Sequence, residues 1–452
     1  MPELPKEFLQ SIACCAGYDE TAFIHAHQQD IPVSIRLNPF KPADIPHLVK
    51  APVSWCQQAF YLEQRPNFTR DLSFQAGCYY VQEAGSMFLD HVLRSQGASE
   101  KALTVLDLCA APGGKSTLAL SAMHPDGVLV SNEVIKPRAE ILSQNLSKWG
   151  ICNSIVTNAD PRDFSELQAT FDIILVDAPC SGSGLFRKQE DAIEEWSSDL
   201  VNLCSQRQKR ILSDVLPALK PGGLLIYSTC SYSTEENEAV ADWLVSEYPL
   251  HSERIELQSE WGIVESQSDR QKAHGYRFYP NRTVSEGFYC AVFRLDGNSS
   301  ENNHQQRSKK NKTELASKKE LAVIEHYVNC TDDHPVVKFK EDFLLMNPAT
   351  MEFMTSHPRL YMKKAGTRIG SIIRDELVPN HDLALSIHVS QRVNRIEADE
   401  ETLIRFMKKE LFTADGAKGW NLMTHKGYGL GWIKHLGNRI NNYLPNEFRI
   451  LN

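Results

Sequence analysis

Apolar segments alternate with amphipathic ones between residues 104 and 247, and this alternation constrains the fold more than any other feature of the 452-residue chain. The amphipathic segments have the period of helices, whereas the apolar ones have the length of buried strands. The predicted strands cover residues 104–108, 127–132, 153–157, 171–176 and 223–228, and the predicted helices cover residues 116–123, 136–149, 199–219 and 235–247. Such alternation is typical of a parallel sheet. We therefore predict an α/β fold, with residues 275–280 and 287–294 as an antiparallel hairpin at the edge of the sheet.

The rest of the chain predicts further domains, because 452 residues exceed the usual length of one domain. Residues 1–75 mix a helical start with strand-like pieces. Residues 297–320 contain five lysines and almost no apolar side chains, so they cannot offset the entropy lost on ordering and predict a linker. The alternating domain then spans residues 76–296. After the linker, we expect a small bridging element at residues 321–360 and a strand-rich domain at residues 361–452.

Charge is unevenly distributed along the chain, although the net charge is −9. Residues 356–452 carry 15 Lys and Arg against 10 Asp and Glu, whereas the remainder carries 33 against 47. Phosphate is attracted by local basic patches whatever the total charge is. An acidic body with a basic tail is therefore compatible with RNA binding.

Several features indicate a cytoplasmic protein. The N-terminus lacks the apolar segment of a signal peptide, and no apolar run approaches the roughly 20 residues that cross a bilayer. The eleven cysteines are odd in number and scattered, which is typical of a reducing compartment. Because no two of them have CxxC spacing, we expect no zinc site and no other metal. We also expect a monomer with no membrane partner.

A loop of small residues follows the first predicted strand and opens the first predicted helix. It reads Cys109-Ala110-Ala111-Pro112-Gly113-Gly114-Lys115. Small side chains let a ligand approach the backbone and the helix N-terminus. The loop is not a Walker A motif, because Cys109 stands where that motif requires glycine, and it does not spell GxGxxG. The sequence therefore favours a nucleoside that is bound without a diphosphate.

Acidic residues follow the strands around this loop and indicate which nucleoside it is. They are Asp107, Glu133, Asp160 and Asp177. A carboxylate after the second strand can accept hydrogen bonds from ribose hydroxyls, and one after the third can meet an adenine amine. S-adenosylmethionine, with its sulfonium and amino acid, suits such a pocket better than an anionic dinucleotide does. The alternative interpretation is that these acids only cap helices.

Two cysteines lie just beyond two predicted strands. Cys180 lies in Asp-Ala-Pro-Cys, which begins at Asp177, and Cys230 lies in Ser-Thr-Cys-Ser. If the two strands are parallel neighbours, both thiols lie at the carboxyl edge of the sheet, where such folds bind ligands. Methylation of cytosine at carbon 5 needs a thiolate that adds to carbon 6, a group that bonds ring N3 and a base. Cys230, Asp177 and Cys180 can supply these three roles. The spacing leaves open which cysteine attacks, and the alternative is that both are merely buried.

These motifs, together with residues 227–238, resemble those of the bacterial RNA 5-methylcytosine methyltransferase family, the Sun or Fmu-like group. The resemblance covers about residues 30–295. It implies a Rossmann-like core that uses S-adenosylmethionine, with Cys230 as the nucleophile and Cys180 as the group that assists proton removal and release. It also implies that residues 109–115 bind or border the cofactor together with Glu133, Asp160 and Asp177, and that Lys115 helps to place the target base.

Residues 34–39, 80–87 and 427–432 are similar to one branch of that family, the ribosomal small-subunit methyltransferase F branch. This similarity implies a small N-terminal α+β domain that binds RNA and a C-terminal PUA-like, β-rich domain that also binds RNA. It implies a cytosine of 16S rRNA as the target, in the free RNA or in the small ribosomal subunit.

The candidate RNA contacts are basic residues near these motifs. In the body of the chain they are Arg36, Lys115, Arg187 and Lys188, and in the tail a candidate phosphate track consists of Arg359, Lys363, Lys364 and Arg368. Three other functions remain as alternatives: an rRNA-binding assembly factor without activity, an enzyme for another RNA cytosine, and a DNA cytosine methyltransferase. The intact cysteine pair argues against the first, and the Thr229-Cys230-Ser231 motif argues against the last.

Overall fold

A ten-stranded mixed sheet forms the centre of the protein in the computed structural model, which describes residues 3–45, 49–297, 314–329 and 333–451. Three smaller sheets lie around it. The mixed α/β architecture that the sequence predicts is confirmed, but the boundaries between its units differ from the predicted ones.

The N-terminal unit consists of short helices and a four-stranded antiparallel sheet. Its elements are α1 (Lys6–Ile12), α2 (Glu20–His27), β1 (Ser34–Leu37), β2 (Val49–Pro52), β3 (Ala59–Leu62), α3 (Leu72–Gln75) and β4 (Tyr79–Val81). The strand order is β2-β3-β1-β4. Because β4 pairs with β1, the unit extends beyond the predicted boundary at residue 75.

The central unit contains the predicted alternation of strands and helices. Its elements are α4 (Phe88–Ser95), β5 (Thr104–Asp107), α5 (Gly114–Ala122), β6 (Val128–Asn132), α6 (Lys136–Trp149), β7 (Ser154–Thr157), β8 (Phe171–Asp177), α7 (Glu190–Glu195), α8 (Ser198–Val215), β9 (Leu219–Thr229), α9 (Glu238–Glu247), β10 (Leu250–Ser252), β11 (Val264–Gln267), β12 (His274–Phe278) and β13 (Phe288–Leu295). Strands β7-β6-β5-β8-β9 run parallel. Their apolar runs are buried because helices cover both faces of a parallel sheet.

The predicted hairpin forms from β12 and β13, but it is not the edge of the sheet. Strand β13 pairs antiparallel with β9, and β11 lies beyond β12. The hairpin therefore continues the parallel sheet on the side next to β9.

A third unit follows residues 298–313, the part of the predicted linker that lies outside the described residues. Its elements are β14 (Glu314–Leu315), α10 (Lys318–Ile324), β15 (Val336–Phe339), β16 (Asp342–Leu345), α11 (Pro348–Ser356), β17 (Met362–Ala365), β18 (Thr367–Ile373), β19 (Glu376–Pro379) and α12 (His381–Leu385). The sheet order is β14-β15-β16-β18-β19, while β17 joins the central sheet antiparallel to β7. The predicted linker is therefore too long at its C-terminal end, where Ser317 and Glu320 form a capping box that starts α10.

The C-terminal unit consists of β20 (Asn394–Glu397), α13 (Glu400–Met407), β21 (Gly419–His425), β22 (Tyr428–His435) and β23 (Ile440–Asn442), with the strands in that order. The prediction of one strand-rich domain from residue 361 is corrected, because residues 362–379 belong to the central and third sheets. The predicted bridging element at residues 321–360 is likewise part of the third unit.

The C-terminal unit folds back against the N-terminal unit. One apolar cluster combines Ile35, Leu72 and Tyr79 of the N-terminal unit with Leu403 and Phe406 of α13. The first and last units of the chain therefore share a hydrophobic core. Within the described ranges, the protein has no helix of sufficient length and apolarity to cross a bilayer.

Candidate active site

The two cysteines of the sequence motifs lie side by side at the carboxyl edge of the central sheet. Strands β8 and β9 are parallel, and their register pairs Asp177 with Ser228. The loops that follow both strands therefore leave the sheet at the same level. They bring the Sγ atoms of Cys180 and Cys230 to 3.1 Å from each other, and both side chains are only half-buried. The predicted adjacency of the two thiols is confirmed.

Cys180 is held in its protonated form. The hydrogen bond with Cys230, together with burial, raises the pKa of the Cys180 thiol well above its usual 9.0. The raised pKa therefore keeps the Cys180 sulfur as a thiol in this pair of cysteines.

An ion pair lies next to the cysteines. The Nζ atom of Lys115 is 2.8 Å from Oδ2 of Asp177, and Ser228 Oγ donates to Oδ1 of Asp177 at 2.8 Å. Burial alone would lower the pKa of Lys115, but the Asp177 carboxylate raises it above its usual value. Lys115 is therefore a fixed positive charge at the same edge as the thiols.

Two side chains of α6 hold the small-residue loop in place by hydrogen bonds. Arg138 Nη2 donates to the Ala111 carbonyl at 2.9 Å, and Asn145 Nδ2 donates to the Pro112 carbonyl at 2.8 Å. Gly113 precedes α5 with φ +115°, a conformation that L side chains rarely adopt. Glycine at this position therefore allows the loop to turn directly into the helix.

The predicted acidic residues lie at the carboxyl ends of strands β5 to β8, the edge of the sheet at which this loop also lies. Asp107 is fully buried and accepts a hydrogen bond from Ser116 Oγ at 2.7 Å, and its Oδ1 has no partner among the described residues. Burial raises the pKa of Asp107 to about 7, although the Ser116 hydrogen bond lowers it. Glu133 accepts from the Ile135 amide at 2.8 Å and pairs with Arg138. Asp160 caps the 3₁₀ turn that follows β7.

These residues fit S-adenosylmethionine. The loop exposes its backbone at the start of α5, and Glu133 lies beside the exposed apolar side chains of Val134 and Ile135, which are 56% and 49% exposed. Exposed apolar side chains beside a carboxylate suit a purine ring that is attached to a ribose. The Asp177 carboxylate lies at the same edge of the sheet, and its negative charge suits a cofactor that carries a sulfonium and an ammonium.

Glu236 connects the two cysteine loops, and the sequence interpretation did not identify it. The Glu236 carboxylate accepts hydrogen bonds from the Ser181 amide at 2.8 Å and from Ser231 Oγ at 2.6 Å, and Gln208 Nε2 donates to it at 3.0 Å. Ser181 follows Cys180 and Ser231 follows Cys230, so one carboxylate positions both thiols. Burial raises the pKa of Glu236 above its usual range and outweighs the hydrogen bonds that lower it. The only signal in the sequence is its position in the motif of residues 227–238.

Aromatic side chains of α1 and α2 pack behind the same two loops. The centroid of the Phe8 ring lies 5.0 Å from that of Phe186 and 5.4 Å from that of Trp196. The ring centroids of Phe23 and Tyr232 are 5.1 Å apart. Phe186 follows the Cys180 loop, and Tyr232 follows Cys230. The first two helices therefore support the reacting loops.

Two predicted RNA contacts are corrected because their guanidinium groups are buried. Arg36 is 1% exposed and donates to Thr117 Oγ1 at 2.6 Å and to Gln82 Oε1 at 3.1 Å, so it joins β1 to α5. Arg187 is 8% exposed, and its Nη2 atom donates a hydrogen bond to the Asp30 carbonyl at 2.8 Å. Lys188 is exposed and stays a predicted RNA contact.

The basic residues of the predicted phosphate track line a cavity of about 1190 Å³ next to α6. Most of their charges have acidic partners: Lys363 pairs with Glu140, Lys364 with Asp382 and Arg368 with Asp342. Ion pairing weakens their attraction for phosphate. The four residues therefore do not form a continuous unpaired basic track. Arg359 and Arg368 are the exposed members of the set, and Arg368 has an acidic partner.

Three protein-family models match the chain. They describe the N-terminal domain of 16S rRNA methyltransferase RsmF at residues 4–84, 16S rRNA methyltransferase RsmB/F at residues 97–294 and the methyltransferase RsmF PUA domain at residues 393–450. These limits agree with the structural units, since the N-terminal sheet ends at Val81 and the C-terminal sheet begins at Asn394.

Curated relatives and a solved structure resemble most of the chain. Ribosomal RNA small subunit methyltransferase F of Shewanella piezotolerans is 30% identical, over 88% of this chain and 85% of that protein. The protein of the same name from Vibrio parahaemolyticus is 30% identical, over 98% of this chain and 97% of its own length. A methyltransferase homolog protein from Pyrococcus horikoshii superposes with a TM-score of 0.52 and 28% identity, covering 65% of this chain and all of that one.

Proposed function

Because the chain belongs to the family of ribosomal RNA small subunit methyltransferase F, an S-adenosylmethionine-dependent family, we propose that it methylates carbon 5 of a cytosine in 16S rRNA. The observation that carries this proposal is the pair of thiols 3.1 Å apart beside the Lys115–Asp177 ion pair. Methylation of a base nitrogen does not require a thiol nucleophile, whereas carbon 5 of cytosine becomes nucleophilic only after a thiolate has added to carbon 6.

The cofactor would be held by residues 109–115, Glu133 and Asp160 around the start of α5. When bound, S-adenosylmethionine supplies the electrophilic methyl group. Asp177 borders both this pocket and the thiols, so it connects the cofactor site to the base site. The target cytosine must leave its stack to reach this edge, at a cost of a few kcal/mol that contacts elsewhere on the RNA must offset.

Cys230 is the proposed nucleophile. Its thiolate electron pair forms a bond to carbon 6, and the electrons of the carbon 5–carbon 6 double bond become available at carbon 5. Asp177 and Lys115 face the ring edge that carries N3. The Lys115 ammonium stabilises the negative charge that the ring gains during addition, because a preorganised charge needs no rearrangement in the transition state.

Cys180 is the proposed base that completes the reaction. The bond between Cys230 and carbon 6 removes the acceptor that holds the Cys180 proton, so the pKa of Cys180 falls and its proton leaves to solvent. The electron pair at carbon 5 would by then have taken the methyl group that the cofactor supplies, with cleavage of the methyl–sulfur bond. The Cys180 thiolate then takes the proton from carbon 5. The electrons of that bond re-form the double bond and expel the Cys230 thiolate.

A covalent-trapping experiment tests this assignment. Cys180→Ala and Cys230→Ala proteins are incubated with 16S rRNA and S-adenosylmethionine and then separated on a denaturing gel. We expect a protein–RNA adduct that persists in Cys180→Ala and is absent in Cys230→Ala. The reverse pattern would exchange the two roles and favour the chemistry of DNA cytosine methyltransferases.

Analysis of the methylated nucleoside tests the reaction itself. The unmodified protein should convert cytidine in rRNA to 5-methylcytidine, as measured by mass spectrometry of digested RNA. Methyl transfer to a nitrogen atom, or to no RNA, would contradict the proposal, and the latter would favour the assembly-factor alternative.

The outer units are the proposed source of rRNA affinity. The N-terminal and PUA-like units share one apolar cluster and therefore lie side by side, and the proposal is that RNA contacts both of them. Lys188 lies beyond the Cys180 loop and is proposed to contact the backbone next to the flipped cytosine.

A further inference from the structure

We propose that Cys152, His334 and His388 bind a zinc ion that ties the third unit to the central sheet. The three side chains come from separate parts of the chain: Cys152 lies between α6 and β7, His334 precedes β15, and His388 follows α12. The site lies outside the catalytic centre, and no step of the proposed reaction uses it.

The geometry brings three metal-binding atoms together. The ligand atoms of Cys152, His334 and His388 all lie within 4.8 Å of one another. One point therefore lies within about 2.8 Å of all three atoms, whereas zinc–ligand distances are about 2.0–2.3 Å. Small side-chain rotations close that difference. One thiol and two imidazoles are a donor set that suits zinc, and a water molecule can complete the tetrahedron.

The backbone around the cluster is rigid. The Ile387 amide and Ser386 Oγ both donate to the Gly150 carbonyl, at 3.0 and 3.1 Å, two residues before Cys152. The Asn329 amide donates to the His388 carbonyl at 2.9 Å. These bonds fix the turn of His388 against the turn of Cys152, so two of the three ligands are positioned before any ion binds.

The chemistry of the three side chains suits metal binding. Each imidazole donates a lone pair from one ring nitrogen, and cysteine binds zinc as the thiolate. The thiol proton of Cys152 therefore leaves to solvent as the zinc–sulfur bond forms.

The spacing of cysteines and histidines in the sequence could not predict this site. No metal is expected from the sequence because no two cysteines have CxxC spacing. The cluster instead arises from three distant segments that meet only when the third unit packs against α6 and β7.

Cobalt binding tests the proposal, because Co²⁺ replaces Zn²⁺ and a cobalt–thiolate bond has a characteristic ultraviolet charge-transfer band. The experiment uses the full chain with Cys180→Ser and Cys230→Ser, so that the catalytic thiols cannot supply the band. After treatment with a chelator, we expect one equivalent of Co²⁺ to produce the band and Zn²⁺ to abolish it. Zinc should also raise the melting temperature by about 2 °C or more.

Matched variants separate this site from other thiols. Cys152→Ser and, independently, His334→Ala should remove the band and the thermal shift, whereas Cys56→Ser, at a buried cysteine of the N-terminal unit, should keep both. Absence of the band in the parent protein, or its persistence in Cys152→Ser, would overturn the proposal. The result does not depend on methyl transfer, so it stands or fails separately from the proposed function.

Discussion

The Glu236 carboxylate forms hydrogen bonds with both reacting loops, through Ser181 and Ser231. Glu236→Ala should lower kcat by about 100-fold, because a displacement of about 1 Å between reacting groups has effects of that size. The dissociation constant of S-adenosylmethionine should change little, since Glu236 does not face the loop of residues 109–115. Single-turnover methyl transfer and calorimetric titration of the cofactor measure the two quantities.

The neighbouring Glu235 provides the control for this prediction. Glu235 is exposed, so Glu235→Ala should retain nearly full kcat. Glu236→Gln keeps one oxygen acceptor and should lie between Glu236→Ala and the parent. Full activity of Glu236→Ala would mean that the thiols are positioned without the carboxylate.

Asp107 should make the stability of the cofactor-free protein depend on pH. Its pKa is raised by burial from the usual 3.8 to about 7, so the folded protein binds this proton more tightly than the unfolded chain does. The stabilisation is complete below pH 3.8 and is lost as the pH rises through 7. Between pH 4 and pH 8 the loss should be about 2–4 kcal/mol of unfolding free energy.

Asp107→Asn imitates the protonated side chain and should remove this dependence. The unfolding free energy of the parent minus that of Asp107→Asn, measured by denaturant titration at several pH values, should therefore fall as the pH rises. Asp191→Asn, at an exposed carboxylate, should show no such trend. If the difference in unfolding free energy between the parent and Asp107→Asn stays constant across the pH range, the pKa of Asp107 is not raised on folding.

At the scale of elements, the reacting edge could be predicted because it depends on local patterns. Two apolar runs predicted strands β8 and β9, and parallel pairing then placed Cys180 and Cys230 at one edge. The register that pairs Asp177 with Ser228 could not be predicted, since it depends on the packing of the whole sheet. For the same reason Glu236 was missed, because its partners are apparent only after both loops are in place.

The wrong predictions of RNA contacts concern charged side chains. Arg36 and Arg187 lie near functional motifs in the sequence, but other segments bury them in the fold. Arg36 packs against α5 and the end of β4, and Arg187 packs against the segment after α2. A charge pattern does not reveal burial, because buried guanidinium groups are stabilised by distant carbonyls and hydroxyls. For Arg36 these include Thr117 Oγ1, more than 80 residues away.

Helix α1 should affect catalysis through packing alone. Phe8→Ala removes a fully buried ring that touches Phe186 and Trp196, and should cost about 3–5 kcal/mol of unfolding free energy. The loosened loop should lower kcat while cofactor affinity is retained. Leu9→Ala, at a half-buried position of the same helix, is the control and should have a smaller effect. Equal losses of kcat in Phe8→Ala and Leu9→Ala would show that the contacts of Phe8 with the loops do not affect catalysis.

At the scale of the whole molecule, the units are joined by contacts between residues that are far apart in sequence. Strand β17 of the third unit extends the central sheet, and α13 packs on the N-terminal unit. Consecutive domain boundaries, which the sequence suggested, describe the order of the units but not their assembly. The apolar residues that join the units have the same patterns as those that fill each unit, so the sequence does not distinguish them.

Lys41 forms hydrogen bonds with residues of three units. Its buried ammonium donates to the carbonyls of Ala76, Lys148 and Leu385 at 2.8, 2.6 and 2.6 Å, which belong to the N-terminal, central and third units. Lys41→Met keeps the length of the side chain but leaves three carbonyls without their donor, so we expect a loss of about 3 kcal/mol or more. Limited proteolysis should then cut between the units before it cuts within the central sheet. Lys50→Met, at an exposed lysine of the same unit, should leave the digestion pattern unchanged. If Lys41→Met is digested like the parent, the other contacts between the units, such as the pairing of β17 with β7 and the shared apolar cluster, hold the assembly without it.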